Sequence, residues 1–152
     1  MIFKSFIYCL FLLLIVGADV PTVETSKIKK LMPSMLSNTI RPDYLKIGDT
    51  VAILAPAGVL KQDFEVIEKT KIVLKKWGLK VVFGEHLETK NNHFAGSDYQ
   101  RANDFQWALD HPNIKAIWCA RGGYGSLRII DKLNFKNFKK YPKWIIGYSD
   151  IT

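Results

Sequence analysis

The sequence predicts an α/β domain, a mostly parallel sheet covered by helices on both faces, behind an N-terminal targeting segment. Three observations carry that prediction. Short apolar runs of strand length alternate with stretches of helical periodicity, and the runs end in glycine- or proline-containing turns. An apolar fraction of 48% with 24% charged residues over 152 residues also suffices for one real core. Strands and helices alternating at these lengths imply βαβ crossovers, and in such sheets the working loops lie at the carboxyl ends of the strands.

The N-terminus departs from this pattern. Lys4 precedes an apolar run over residues 6–16, followed by Gly17 and Ala18, with Val16 and Ala18 at the −3 and −1 places of a cleavage site. That layout reads as a signal peptide over residues 1–18, with a retained anchor as the alternative. Export to the periplasm or anchoring to a membrane follows as the expected location, a cytoplasmic one being the alternative. Residues 19–42 mix Ser, Thr, Pro and Lys without periodicity and read as a linker, and the folded domain is expected over 43–152. Cys9 lacks the small residues that precede a lipid-modified cysteine. Only Cys119 then remains after cleavage, so no internal disulfide is available.

Within the domain, Val51-Ala-Ile-Leu-Ala55 reads as a buried strand that stops at Pro56-Ala57-Gly58. Residues 63–77 form a helix in which Val66, Val73 and Trp77, flanked by Phe64, Ile67 and Leu74, recur at helical spacing, and Gly78 ends it. A second strand covers 79–83 and a polar loop covers 84–96. Ser97 and Gln100 make a capping box for a helix with Ala102, Phe105 and Leu109 on one face, stopped by His111-Pro112. A third strand over 114–120 runs into Arg121-Gly122-Gly123-Tyr124-Gly125. A short helical stretch through Leu127, Ile130 and Leu133 follows, then a fourth strand over 143–146 leading into Gly147-Tyr148-Ser149-Asp150.

The formal charge of +8 makes nucleic acid a partner to consider. The basic residues are dispersed between apolar positions, however, and no nucleic-acid-binding motif is present. Solvated faces and a membrane-proximal linker account for the charge, and no nucleic-acid partner is expected.

Two segments could do chemistry. Ser149 follows an apolar strand with Gly147 two residues before it, which suits a sharp strand-to-helix turn that lifts a hydroxyl out of the sheet as a nucleophile, although a plain turn serine has the same local pattern. The second glycine of the usual G-x-S-x-G is replaced by Ile151, which disfavours an ordinary α/β-hydrolase. The segment from Arg121 to Gly125 reads as a flexible turn, as a phosphate cradle, or as a loop whose backbone offers an N–H to an oxyanion. The cradle fails because no Lys-Ser/Thr pair follows and Arg128 stands at the third glycine position. Cys119 lies inside an apolar run and reads as a core residue. His86, His93 and His111 lie in loops or at a helix end, where solvent-facing roles are the ordinary expectation.

Together these motifs resemble the serine peptidase family of LD-carboxypeptidases, murein tetrapeptide carboxypeptidases and the related microcin-immunity peptidases. The matching text is Gly48-Asp-Thr-Val-Ala-Ile-Leu-Ala-Pro-Ala-Gly58, Phe94-Ala-Gly-Ser-Asp98, Ile117-Trp-Cys-Ala-Arg-Gly-Gly-Tyr-Gly125 and Ile146-Gly-Tyr-Ser-Asp-Ile-Thr152. The resemblance implies a flavodoxin-like or Rossmann-like N-terminal domain of a two-domain enzyme whose C-terminal domain is absent from this sequence. It implies Ser149 as nucleophile, the backbone N–H groups of Gly123 and Asp150 as the oxyanion hole, and a Glu and a His supplied by that other domain. Arg121 and Tyr124 are candidates to face substrate, Arg121 offering charge to a peptide carboxylate, with surface packing as the alternative.

The implied reaction removes a terminal D-amino acid from a murein-derived peptide across an L,D bond through an acyl-serine, without metal or cofactor, in a homodimeric complete enzyme. A chain without the base is expected to be nearly inert. The rivals are the microcin-immunity reaction and a truncated, non-catalytic peptide-binding domain.

Overall fold

The computed structural model describes residues 40–60 and 64–152, which belong to one compact unit, Ile40–Thr152. The expected signal peptide, and all but the last three residues of the expected linker, lie outside the described residues. The elements run β1 (Thr50–Leu54), α1 (Phe64–Lys76), β2 (Lys80–Phe83), α2 (Asp98–Asp110), β3 (Ile114–Cys119), α3 (Leu127–Ile130), α4 (Lys136–Lys140) and β4 (Trp144–Ile146). One turn of 3-10 helix, Ser149–Ile151, follows.

All strand pairings are parallel, in the order β2-β1-β3-β4, with Val51 opposite both Val81 and Ala116 and with Ile117 opposite Ile145. Of the two expected topologies this is the flavodoxin-like one. The strand order reverses between β1 and β3, so a crevice opens at their carboxyl ends, where such sheets bind ligands.

The central strand β1 is buried on both faces, which is why it is a continuous apolar run rather than an alternating one, whereas the edge strands β2 and β4 are partly exposed. Val51, Ile53 and Ala55 pack with Ile67 and Leu74 of α1, while Ala52 and Leu54 pack with Ala102, Phe105, Ala108 and Leu109 of α2. Helix α1 therefore buries Ile67 and Leu74, and Val66, Val73 and Trp77 stand exposed. Those three residues keep helical spacing among themselves, but on the solvent side. Helix α2 has the expected capping box, Ser97 accepting from the Gln100 N–H and Gln100 accepting from the Ser97 N–H.

Lys143 corrects the picture of solvated basic faces. It is 2% exposed, and its ammonium donates to the carbonyls of Ala108 (2.8 Å), Leu109 (2.9 Å) and His111 (2.8 Å). It thereby satisfies the orphan carbonyls at the end of α2 and ties that end to the start of β4. Burial pushes its pKa down to about 8. The five-residue α4 was not foreseen, being too short to show a period.

Candidate active site

Strand β4 delivers Gly147 to Asp150 at the carboxyl edge of the sheet, beside β3. Ser149 adopts φ 59°, one of two non-glycine residues with positive φ among those described, and it is exposed. A left-handed serine costs on the order of 1 kcal/mol, so the surrounding turn must hold it there. The turn does so by folding back directly. The Ile151 N–H donates to the Tyr148 carbonyl (3.3 Å) and the Thr152 N–H to the Ser149 carbonyl (3.1 Å). A Cβ at Gly147 would lie 2.5 Å from Cγ2 of Ile151, so only glycine fits under the folded-back chain. The Ile151 that replaces the usual second glycine thus occupies the space that Gly147 leaves.

The β3–α3 loop meets this turn backbone to backbone. Gly122 is buried, and a Cβ there would lie 2.9 Å from the Tyr148 carbonyl oxygen and 3.0 Å from Cβ of Ser149. The Gly122 carbonyl accepts the Gly58 N–H at 3.0 Å, bringing the β1–α1 loop to the same place. Gly123 has φ 108°, a conformation open to glycine, and is exposed next to Gly58. The loop after β3 is therefore in contact with the loop after β1 on one side and with the turn after β4 on the other, at the β1/β3 crevice and its β4 flank.

Asp150 fastens the elbow to the start of α3. Its carboxylate accepts the Ser126 N–H at 2.8 Å, and the Ser126 hydroxyl donates to its backbone carbonyl. Its own backbone N–H remains on the Gly122 side, 3.5 Å from the Cβ position there. Arg121 is half-buried and donates from Nη1 to the Val59 carbonyl at 3.0 Å, so it braces the β1–α1 loop. Tyr124 is 54% exposed, its ring 6.1 Å from that of Phe94.

The residue that sequence reasoning missed is Arg101. It is 1% exposed, and its Nη1 donates to the carbonyls of Pro56 (2.7 Å) and Gly125 (2.9 Å), while Nε reaches the Gly96 carbonyl (3.4 Å). One guanidinium thus pins the loops after β1 and β3 and the entry to α2. Its Nη2 pairs with Asp98, which also takes a bidentate grip from Arg128 (Nε 3.0 Å and Nη2 2.8 Å). The Arg128 hydrogen bond, with the charges of Arg128 and Arg101, holds the Asp98 carboxyl below its usual value. The signal for Arg101 was its position, four residues before Phe105 and seven before Ala108 on the inward face of α2.

Among the described residues none hydrogen-bonds the Ser149 hydroxyl. His86 is not solvent-facing as expected, because its Nδ1 lies 2.8 Å from the buried Asp104 carboxylate, which also accepts the His86 backbone N–H at 2.9 Å. His93 lies against Phe94, ring centroids 4.0 Å apart, and His111 caps α2. Cys119 is buried, and burial pushes its thiol up to about 12, which removes it as a thiolate nucleophile at neutral pH. No three His, Cys, Asp or Glu side chains among the described residues group to hold a metal. Chemically, the arrangement offers an exposed hydroxyl on a strained turn and backbone N–H groups beside it.

Comparison with known proteins identifies the family of the domain. The family described as LD-carboxypeptidase N-terminal domain matches residues 51–152. The murein tetrapeptide carboxypeptidase of Pseudomonas aeruginosa is 36% identical over 107 residues, 70% of this chain and 34% of that protein. Among solved structures, the microcin C7 self-immunity protein MccF in complex with aspartyl sulfamoyl adenosine superposes with a TM-score of 0.69 at 25% identity, covering 74% of this chain and 34% of that one. The muramoyltetrapeptide carboxypeptidase of Oxalobacter formigenes does so at 0.56 and 30% identity, covering 66% and 33%. The chain spans about one third of the length of these relatives. The match over two thirds of the chain, with the strand order and the order of its loop motifs, means that this chain belongs to the LD-carboxypeptidase N-terminal domain family.

Proposed function

We propose that this domain supplies the nucleophile of a serine-type carboxypeptidase that releases a terminal D-amino acid from murein-derived peptides. The observation that carries the reading is Ser149, held exposed in a left-handed turn against Gly122, the residue before Gly123. In this reading the Ser149 oxygen attacks the carbonyl carbon of the L,D bond while its proton passes to a base. The resulting oxyanion accepts hydrogen bonds from the N–H groups of Gly123 and Asp150. Collapse expels the amine of the terminal residue, which takes up the proton, and water then hydrolyses the acyl-serine. By the family resemblance the base is a histidine oriented by a glutamate, both from the C-terminal part of a family-type enzyme; His86 pairs with Asp104, His93 lies against Phe94 and His111 caps α2. Arg121 holds the β1–α1 loop in place, and Tyr124 walls the substrate side. The murein substrate class rests on relatives named for it.

The second reading is a microcin-immunity-type reaction, favoured by the higher TM-score to a protein whose solved complex holds aspartyl sulfamoyl adenosine. The two are separated by fusing residues 40–152 to the C-terminal part of the Pseudomonas relative and offering an L,D-linked tetrapeptide and an aspartyl-nucleotide conjugate in parallel. Turnover of the tetrapeptide at least tenfold faster supports the proposal, and the reverse preference supports the alternative. Tight peptide binding without turnover of either would favour a peptide-binding domain.

A further inference from the structure

We propose that the edge of the domain opposite the candidate active site is a docking face for anionic phospholipid headgroups. In a parallel sheet all strands begin on one edge, and the helices that run back between them end on it. That edge gathers basic side chains from every layer. Lys46 precedes β1, Lys75 and Lys76 end α1, and Lys80 opens β2. Lys115 is the second residue of β3, and Lys139 and Lys140 end α4. Each is exposed, as is Arg41, whose guanidinium lies 4.8 Å from the Tyr44 ring centre.

The acids on the same edge do not balance them. Asp49 accepts the Lys46 backbone N–H at 2.7 Å, Asp110 accepts from Gln106 and Asn137, and Asp43 is exposed. A cleft of about 310 Å³, lined by Arg41, Lys46, Lys115 and Lys140 with Asp43 and Asp49, is open to a phosphate-bearing headgroup. Arg41, Lys46 and Lys140 present their charges there without an ion pair to an acid among the described residues.

A second, independent feature selects lipid over other polyanions. Trp77, Tyr44 and Ile47 stand among these cations with exposures of 61%, 68% and 87%. Ile47 lies over Gly78, the residue after Trp77, where a Cβ would be 2.9 Å from Cγ2 of Ile47. An amphipathic aromatic and a bare isoleucine gain by entering the headgroup layer, whereas Ile47 has nothing to read on a nucleic-acid backbone. Lysines beside a membrane surface add to such binding in proportion to the anionic lipid present. In the sequence, the cluster Lys27, Lys29 and Lys30 lies between the expected signal peptide and this unit and adds further basic charge ahead of it in the chain. Docked this way, the edge bearing Ser149 faces away from the lipid.

The test is sedimentation of the full chain with vesicles of neutral phosphatidylcholine and of phosphatidylcholine with one-third phosphatidylglycerol. The full chain binds the anionic vesicles more tightly. Lys75→Glu/Lys76→Glu/Lys80→Glu weakens that binding at least about tenfold. Lys90→Glu/Lys132→Glu, away from this edge, changes it less than twofold. Quenching of tryptophan fluorescence by brominated lipid falls in Trp77→Phe. If the triple variant shows a lowered melting temperature, Arg41→Glu/Lys46→Glu/Lys140→Glu replaces it and is expected to give the same loss. Unchanged binding by a folded triple variant, or equal loss from the Lys90/Lys132 pair, overturns the proposal. Displacement from the vesicles by duplex DNA at lower concentration than by soluble phosphatidylglycerol overturns it in favour of a nucleic-acid face.

Discussion

Gly122 stands so close to Ser149 that a Cβ added to it would lie 3.0 Å from the serine Cβ and 2.9 Å from the carbonyl oxygen of Tyr148. The loop after β3 and the turn after β4 are therefore packed backbone against backbone, and neither can shift without the other. Gly122→Ala should cost about 1–3 kcal/mol in urea unfolding, as overpacking does. It should also displace the elbow, seen as shifted amide resonances at Tyr148 to Asp150. An alanine variant as stable as the parent, with those resonances unmoved, would mean that the two loops are not locked together.

Gly123 differs from its neighbour because a Cβ there meets nothing nearer than Gly58 at 3.5 Å, while its φ of 108° disfavours any side chain. Gly123→Ala should therefore cost about 1 kcal/mol of stability through the backbone alone. If its N–H serves an oxyanion, the same variant in the fused enzyme should lose about a hundredfold or more in turnover. A variant that melts early yet keeps its turnover number assigns the glycine to the turn only.

Arg101 is the structural keystone of the carboxyl edge. Arg101→Met removes a buried guanidinium from the carbonyls of Pro56, Gly96 and Gly125 and should destabilise the domain by roughly 3–5 kcal/mol. Arg101→Lys should recover only part of this, because an ammonium lacks the planar fork that reaches three loops. Hydrogen exchange at Gly58, whose N–H is held by Gly122, should accelerate in both variants.

Asp98 gives the domain an acid-sensitive joint. Its folded pKa lies below the usual 3.8, chiefly through the Arg128 hydrogen bond. The stabilisation is therefore complete above the unfolded value and is lost as pH falls through the folded one. The pair with Arg128 is partly exposed, so Asp98→Asn should cost about 1 kcal/mol at pH 7. The gap between parent and variant should close as the pH is lowered past 3.8. A gap that stays constant between pH 7 and pH 2 would show that charge plays no part in it.

What the sequence revealed and what it hid follow one physical division. Gly147 and Ser149 after an apolar run, and Ser97 with Gln100, were legible because each signal is local, a turn or a cap set by residues within a few positions. The inward face of α1 was not, because Val66 and Val73 repeat seven residues apart as do Ile67 and Leu74, and only the position of the sheet decides between them. The burial of Lys143 and Arg101 was hidden because the carbonyls of Ala108 and Leu109 for the first, and of Pro56 and Gly125 for the second, lie more than twenty residues away. His86 was hidden likewise, its partner Asp104 being eighteen residues on in another element.

The central claim, that Ser149 becomes acylated only when a histidine and glutamate are supplied by the family's other domain, is tested most directly by release of D-alanine from an L,D-linked tetrapeptide. Three proteins are compared: this chain alone, residues 40–152 fused to the C-terminal part of the Pseudomonas relative, and that fusion with Ser149→Ala. Release by the unsubstituted fusion alone, with the other two at least about a thousandfold slower, is the expected result. Comparable release by the isolated chain, or by the alanine variant, would contradict the assignment of Ser149 and of the base that activates it.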